Sequence, residues 1–318
     1  MFEFKIGKND AGQRLDKFIT KALDIPTSLL YKSIRTKKIK VNRKRAEIST
    51  ALAEGDSVQC FLSEEFVKKE ATQNSFEKIT PRLSIIYEDE NIMLLDKKPG
   101  VSVHEDEKGS TNTLITHVLA YLYQRGEYRP NEENAFAPAL CNRIDRNTGG
   151  IVIAAKNAEA LRIMNEKIKL REIDKFYLAA IHGAPKKRED TLKGFLIKDE
   201  KTKSVRVYDK NPPKDAKTII TKYRVLKSLG DASLVEVELL TGRTHQIRAH
   251  FAHIGHALIG DGKYGINKSD RERGYKYQAL YSYKLRFSFH DEENALSYLN
   301  GREFRVPDES VYFLKDFE

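Results

Sequence analysis

Cysteine is almost missing from this chain: only Cys60 and Cys141 occur in 318 residues. Two thiols so far apart exclude a disulfide framework and any cysteine-based zinc spacing, and they fit a reduced, cytoplasmic protein. Long hydrophobic runs are missing too. None approaches the roughly 18 apolar residues of a membrane span. The opening Met1-Phe2-Glu3-Phe4-Lys5 has no apolar signal core, so neither secretion nor membrane insertion is expected. There is no dinucleotide-binding glycine fingerprint, no Gly-rich phosphate loop ending in Lys-Ser/Thr, and no internal repeat. No cofactor is expected from these absences.

Acidic charge is outnumbered. The net charge is +10, with 32% charged and 40% hydrophobic residues. Such a chain can build globular cores and favours an anionic partner, nucleic acid before a membrane surface. Its length suits two domains. The excess is uneven: residues 1–62 hold 13 Lys/Arg and 7 Asp/Glu, a net of +6. Eight of those cations fall in one stretch: Lys32, Arg35, Lys37, Lys38, Lys40, Arg43, Lys44 and Arg45. A charge run is usually a solvated face. This one spans helix, turn and strand in a unit too small to need it for solubility, which points to RNA or DNA contact.

Periodicity gives the layout. Leu15, Phe18, Ile19 and Leu23 mark one helical face, and Pro26 with Thr27-Ser28 restarts a second helix through Leu29, Leu30 and Ile34. A short strand and turn over 37–44, a turn at Glu54-Gly55-Asp56 and an alternating strand through Val58 and Cys60 complete an αα-β unit over 1–62. Residues 63–80 are polar and read as a linker. A hairpin is expected around Glu88-Asp89-Glu90-Asn91, a loop over 124–138, a strand at 151–155 and a helix over 157–170. Further strands follow at about 176–181, 204–208, 217–226 and 232–240. Strands outnumber helices and few are separated by them, so 81–318 reads as an α+β catalytic domain with a mostly antiparallel, mixed sheet flanked by helices and loops.

Two segments carry candidate chemistry. Arg143-Ile144-Asp145-Arg146-Asn147-Thr148-Gly149-Gly150 sets one carboxylate between two arginines, in a turn before a buried strand. Nearby cations keep such a carboxylate ionised, as a nucleophile or proton acceptor requires. The alternative is an Asp that only caps a turn. The second segment is Leu240-Thr241-Gly242-Arg243-Thr244-His245-Gln246-Ile247-Arg248-Ala249-His250-Phe251. Arg243 stands near a helix start, where the dipole offers a cation nothing. An anionic partner is expected there, either Asp145 or an RNA phosphate. His245, His250, His253 and His256 invite a metal, but only His250 and His253 would share a helical face and no further ligand follows in zinc register; no metal is expected. Tyr177 lies on an expected strand, where packing is its usual role. In a nucleic-acid enzyme its ring can instead stack on an extruded base.

The order Arg14-Leu15-Asp16-Lys17-Phe18, Ser33-Ile34-Arg35, Lys40-Val41-Asn42 and Gly55-Asp56 resembles the alpha-L RNA-binding domain first seen in ribosomal small-subunit protein four. A glycine often found before the Lys-Val-Asn strand is absent, and Lys37-Lys38 takes its place. Over about 84–306 the chain resembles the RluA-type pseudouridine synthases. Their His-Arg-Leu-Asp-x-x-Thr-Ser-Gly motif appears as Asn142 to Gly150, their Lys-x-Tyr-x-Ala strand as Lys175 to Ala179, and their Gly-Arg-Thr-His-Gln-Ile/Leu-Arg segment as Gly242 to Arg248. Gly255 to Gly265, Asp96 to Gly100 and Gln278-Ala279-Leu280 match later or shorter motifs. Asn142, Gly149 and Tyr281 depart from the pattern, standing where His, Ser and His are usual.

The resemblance implies isomerisation of specific uridines in structured RNA, large-subunit ribosomal RNA first and transfer RNA second, by a cytoplasmic monomer without cofactor or metal. It implies that Asp145 is catalytic, that Tyr177 stacks on the target base, that Arg243 pairs with Asp145, and that Arg143 fills the gap left by the flipped nucleotide. Two other readings share these features: an RNA-binding assembly factor without catalysis, and a nucleic-acid glycosylase.

Overall fold

The computed structural model describes residues 1–66, 76–105, 112–199, 202–290 and 293–318. The central part of the expected linker, 67–75, lies outside them. The first elements are β1 (Phe2–Lys5), α1 (Leu15–Ala22), α2 (Thr27–Arg35), β2 (Ile39–Val41), β3 (Lys44–Arg45) and β4 (Ser57–Cys60). They form a four-stranded sheet of order β1-β4-β2-β3, covered by the apolar faces of α1 and α2. Leu15, Phe18, Ile19, Leu30, Ile34 and Val58 meet in a core of their own. The helical spacing of those residues is what makes a face that can be buried. β1 was not foreseen, since its Phe-Glu-Phe-Lys alternation is too short to register. Where the glycine is missing, Lys37 itself takes a left-handed backbone, φ 62°.

The larger body follows, with β5 (Ile85–Glu88), β6 (Ile92–Lys97), α3 (Leu114–Gln124), β7 (Ala139–Leu140), β8 (Gly149–Ala155), α4 (Ala158–Leu170), β9 (Ile173–His182) and β10 (Glu189–Asp199). It continues with β11 (Ser204–Tyr208), β12 (Lys217–Leu229), β13 (Ala232–Leu239), α5 (Gln246–His253), α6 (Lys268–Glu272), β14 (Leu280–Phe287) and β15 (Glu303–Arg305). These strands make one eleven-stranded sheet, ordered β11-β10-β12-β13-β9-β14-β8-β6-β5, with β15 beside β14 and β7 beside β8. All its described pairings are antiparallel except β14 with β8. The expected α+β class with a mostly antiparallel sheet is therefore what the chain forms. Sequence periodicity missed α3, β10 and β14. α3 is apolar around most of its surface and so lacks a sharp amphipathic stripe.

All seven residues of β8 are buried, as expected of a central strand covered on both faces. On one face Ile151 and Ile153 pack against Ala160 and Met164 of α4 and the C-terminal Phe313. On the other, Val152 and Ala154 meet Leu114, Val118 and Leu122 of α3. Further along that second face, Tyr177, Ala179 and Ile181 of β9 meet Ile247 and Phe251 of α5. Ile144 touches both the α3 and the α5 clusters, so the segment bearing Asp145 lies in the seam between these helices. The two bodies also touch: Asn134 donates to Asp10 Oδ2 at 2.7 Å and to the Lys5 carbonyl at 2.9 Å, and Arg162 donates to the Ala11 carbonyl at 3.0 Å.

The seat of α5 is polar. Gln246 Nε2 donates to Thr221 Oγ1 at 3.0 Å, and that hydroxyl lies 3.0 Å from His250 Nδ1. The Thr221 hydroxyl can then donate to a neutral imidazole. Burial pulls His250 down to about 4 from its ordinary 6.5. Between those values the unfolded chain binds more protons than the folded one, so stability rises with pH. Lowering the pH from 6.5 toward 4 should therefore cost about 3 kcal/mol through this residue. His250→Gln should flatten the dependence of the urea midpoint on pH in that window. An unaltered slope would place the titration elsewhere.

Candidate active site

Asp145 lines a cleft of about 1340 Å³. Its carbonyl accepts from Thr148 N at 3.0 Å, closing the turn into β8. Its Oδ2 accepts from Arg248 Nη1 at 2.8 Å. No hydrogen bond to its Oδ1 is found among the described residues, and the side chain is 26% exposed to the cleft. One oxygen is held and the other is available.

The holding cation corrects an expectation. Arg243 does not pair with Asp145. It lies ahead of α5, exposed on the cleft wall, and no ion pair to it is found among the described residues. The flanking Arg143 and Arg146 do not hold the carboxylate either. Both are exposed, and Arg146 Nε instead donates to the Gly100 carbonyl at 3.0 Å. The partner is Arg248, buried on the first turns of α5. Its Nε and Nη2 donate to Asp261 Oδ2 and Oδ1 at 2.7 and 2.9 Å, a two-pronged grip on a fully buried carboxylate. The guanidinium lies over the Tyr264 ring at 5.3 Å. Two carboxylates raise its pKa despite burial, so it stays charged. No local signal in the sequence marks this role, because Arg248 stands in a mixed stretch with Gln246, His250 and His253.

His245 was also missed as part of the site. Its left-handed backbone, φ 55°, caps α5 at a sterically costly angle. The ring is fixed by Tyr264 Oη, 2.8 Å from Nδ1, and holds Nε2 3.7 Å from Asp145 Oδ2. Burial, reinforced by Arg248 and Lys263, pulls its pKa down against the two carboxylates. The imidazole is therefore neutral at neutral pH.

Tyr177, on β9, forms another wall and is 6% exposed. Burial and the charge of Asp145 push its phenol up to about 12, so it stays protonated. Beneath the turn lies Lys97, fully buried on β6. Its ammonium donates to the carbonyls of Val101, Lys98 and Arg146 at 2.9, 3.2 and 3.0 Å. Three acceptors use all three N–H groups, while burial pulls the ammonium down to about 7. Asn142 keeps a tie at the motif's first position: Oδ1 accepts from Ile153 N at 2.8 Å. No group of His, Cys, Asp and Glu able to hold a metal is found among the described residues.

The profile of the RNA pseudouridylate synthase family matches residues 91–253. The ribosomal large subunit pseudouridine synthase C of Vibrio vulnificus is 31% identical over 89% of this chain and 87% of its own length. An uncharacterised RNA pseudouridine synthase of Mycoplasma genitalium is 32% identical over 90% of this chain and 88% of its own length. This chain belongs to the RNA pseudouridine synthases. Its activity is the isomerisation of uridine in RNA; a non-catalytic assembly factor and a glycosylase are not favoured. The fold is similar to that of human RNA pseudouridylate synthase domain containing 4, with a TM-score of 0.57 and 21% identity over 73% of this chain and 92% of that one.

The two arginines of the α5 segment should separate in kinetics. Arg248→Ala removes the cation shared by Asp145 and Asp261 and should cut the single-turnover rate on the order of 100-fold or more. Arg248→Lys should recover little, because an ammonium cannot reproduce the fork. Arg243→Ala should leave the saturated rate within a few-fold, weaken RNA binding and lower the salt slope of affinity by about one. A larger rate loss from Arg243→Ala than from Arg248→Ala would reverse these roles.

Proposed function

We propose that this synthase modifies uridine in large-subunit ribosomal RNA, with Asp145 as the catalytic carboxylate. The supporting observation is the asymmetric carboxylate: Arg248 takes one oxygen at 2.8 Å, and the other has no hydrogen-bond partner among the described residues of the cleft. The free oxygen acts on the ribose, either by attack at C1′ or by taking the C2′ proton. In both routes the N1–C1′ bond breaks, uracil turns over, and C5 bonds to C1′; that bond displaces the carboxylate from C1′ in the first route, and the proton returns to C2′ in the second. The proton on C5 leaves and N1 gains one, so the product is an isomer and no redox partner is needed. The Tyr177 ring would hold the detached base by stacking. Arg143, exposed and lining the cleft, would fill the gap left by the flipped nucleotide. Arg243 would contact a phosphate.

The ribosomal preference draws on the names of the relatives and on the first 62 residues, read as an alpha-L RNA-binding domain. Seven of its eight clustered cations are exposed, and Lys40 is half-buried beneath Phe61. Such a surface can neutralise several phosphates at once. The boundaries 1–62 and 81–318 and a monomeric, cytoplasmic enzyme belong to the same proposal. No described helix is long and apolar enough to cross a membrane.

Asp145→Ala should abolish pseudouridine formation while RNA affinity stays within several-fold. Product analysis on one RNA substrate checks both, and appreciable turnover by the variant would remove Asp145 from the mechanism. Replacing Lys37, Lys38, Lys44 and Arg45 together by Gln should lower the salt slope of binding by about three to four and leave the saturated rate nearly unchanged. An unchanged slope would mean that this face does not meet phosphate.

A further inference from the structure

Gly149 and Tyr281 both depart from the family pattern, and they face each other. β8 and β14 run parallel here, with Gly149 opposite Tyr281 and Gly150 opposite Ser282. The two glycines are needed for different reasons. Gly150 has a left-handed φ of 113°, and a Cβ on it would collide with the Ser282 backbone. Gly149 has no such backbone, so its φ would allow any residue. What excludes a side chain at 149 is the Tyr281 ring, whose Cδ2 and Cζ would lie 2.6 and 2.7 Å from an added Cβ. The ring occupies the space that a serine side chain would need.

Tyr281 is fully buried and donates its hydroxyl to Asp96 Oδ1 at 2.7 Å. The other oxygen of Asp96 receives Lys98 Nζ at 2.7 Å. Between them in sequence, Lys97 binds the Arg146 carbonyl, which Gly100 N also reaches at 2.9 Å. Arg146 is covalently next to Asp145. We propose that Tyr281 is a positioning residue for Asp145: through Asp96 it fixes the 96–101 segment that clamps the catalytic turn, and its ring is matched to Gly149. The inference rests on Asp145 as the catalytic carboxylate. A tyrosine that merely fills space would need its ring but not its hydroxyl.

The test uses the full chain on one RNA, with the saturated rate, KM and melting temperature measured for each variant. Tyr281→Phe keeps the ring and should lower kcat about tenfold with KM unchanged, the loss expected for one hydrogen bond to a buried carboxylate. Gly149→Ser should lower kcat about 100-fold or more, and Tyr281→His in the same chain should recover at least about tenfold of that loss. Wild-type kcat in Tyr281→Phe, or a double variant no better than Gly149→Ser, overturns the proposal. Should Gly149→Ser fail to fold, recovery of folding in the double variant tests the match and Tyr281→Phe tests the positioning. Asp145→Ala is assayed alongside. If it is active, the catalytic reading itself fails; if it is dead while Tyr281→Phe is fully active, only the positioning role fails.

Discussion

The site depends on one guanidinium shared by two carboxylates. Arg248 grips buried Asp261 with two nitrogens and Asp145 with the third. A charge buried this deeply is costly unless fully paired, and a carboxylate as enclosed as Asp261 is costly as well. Each compensates the other, and the geometry of the pair then dictates where Asp145 can stand. Asp261 is itself oriented by the backbone N–H groups of Lys263 and Tyr264 at 2.9 and 3.3 Å. The Asp145 carboxylate is thus held through Arg248 by groups buried behind it.

Everything else in the larger body brings these residues to one seam. β8 fixes the C-terminal side of the Asp145 turn because each of its residues is buried and its register admits no slip. α5 carries Arg248, and its start is fixed by Thr241 and Gln246, bonded at 2.9 Å. Lys97 closes the turn from below by holding the Arg146 carbonyl. Three separate stretches of chain converge on two residues, which is why the site cannot be a local motif.

That convergence also explains which features were legible in sequence. The helical faces of α1, α2 and α4 and the apolar run of β8 follow local periodicity, and they formed where expected. Asp145 stood out because a lone acid between cations before a buried strand is unusual. The choice between Arg243 and Arg248 was not local. Both stand in one heptapeptide motif, and only the packing of α5 against the sheet turns Arg248 inward and leaves Arg243 in solvent. Asp261 and Lys97 lie within motifs, but nothing in their spacing indicates burial. Their roles appear only when distant strands are brought side by side. β10 and β14 escaped notice for a related reason: their strand identity comes from neighbours that supply the ladder, not from a clean alternation of their own.

Burial then assigns charge within the cleft. It keeps Tyr177 a neutral phenol and His245 a neutral imidazole, while paired carboxylates keep Arg248 a cation. A neutral ring can accept a detached uracil by stacking without competing for its polar edge. A neutral imidazole 3.7 Å from Asp145 does not draw the carboxylate away from Arg248. Asp145 is therefore surrounded by a neutral phenol, a neutral imidazole and one guanidinium, and one of its oxygens has no hydrogen-bond partner among the described residues. The same enclosure that makes charge expensive here is what sets the protonation of the groups around Asp145.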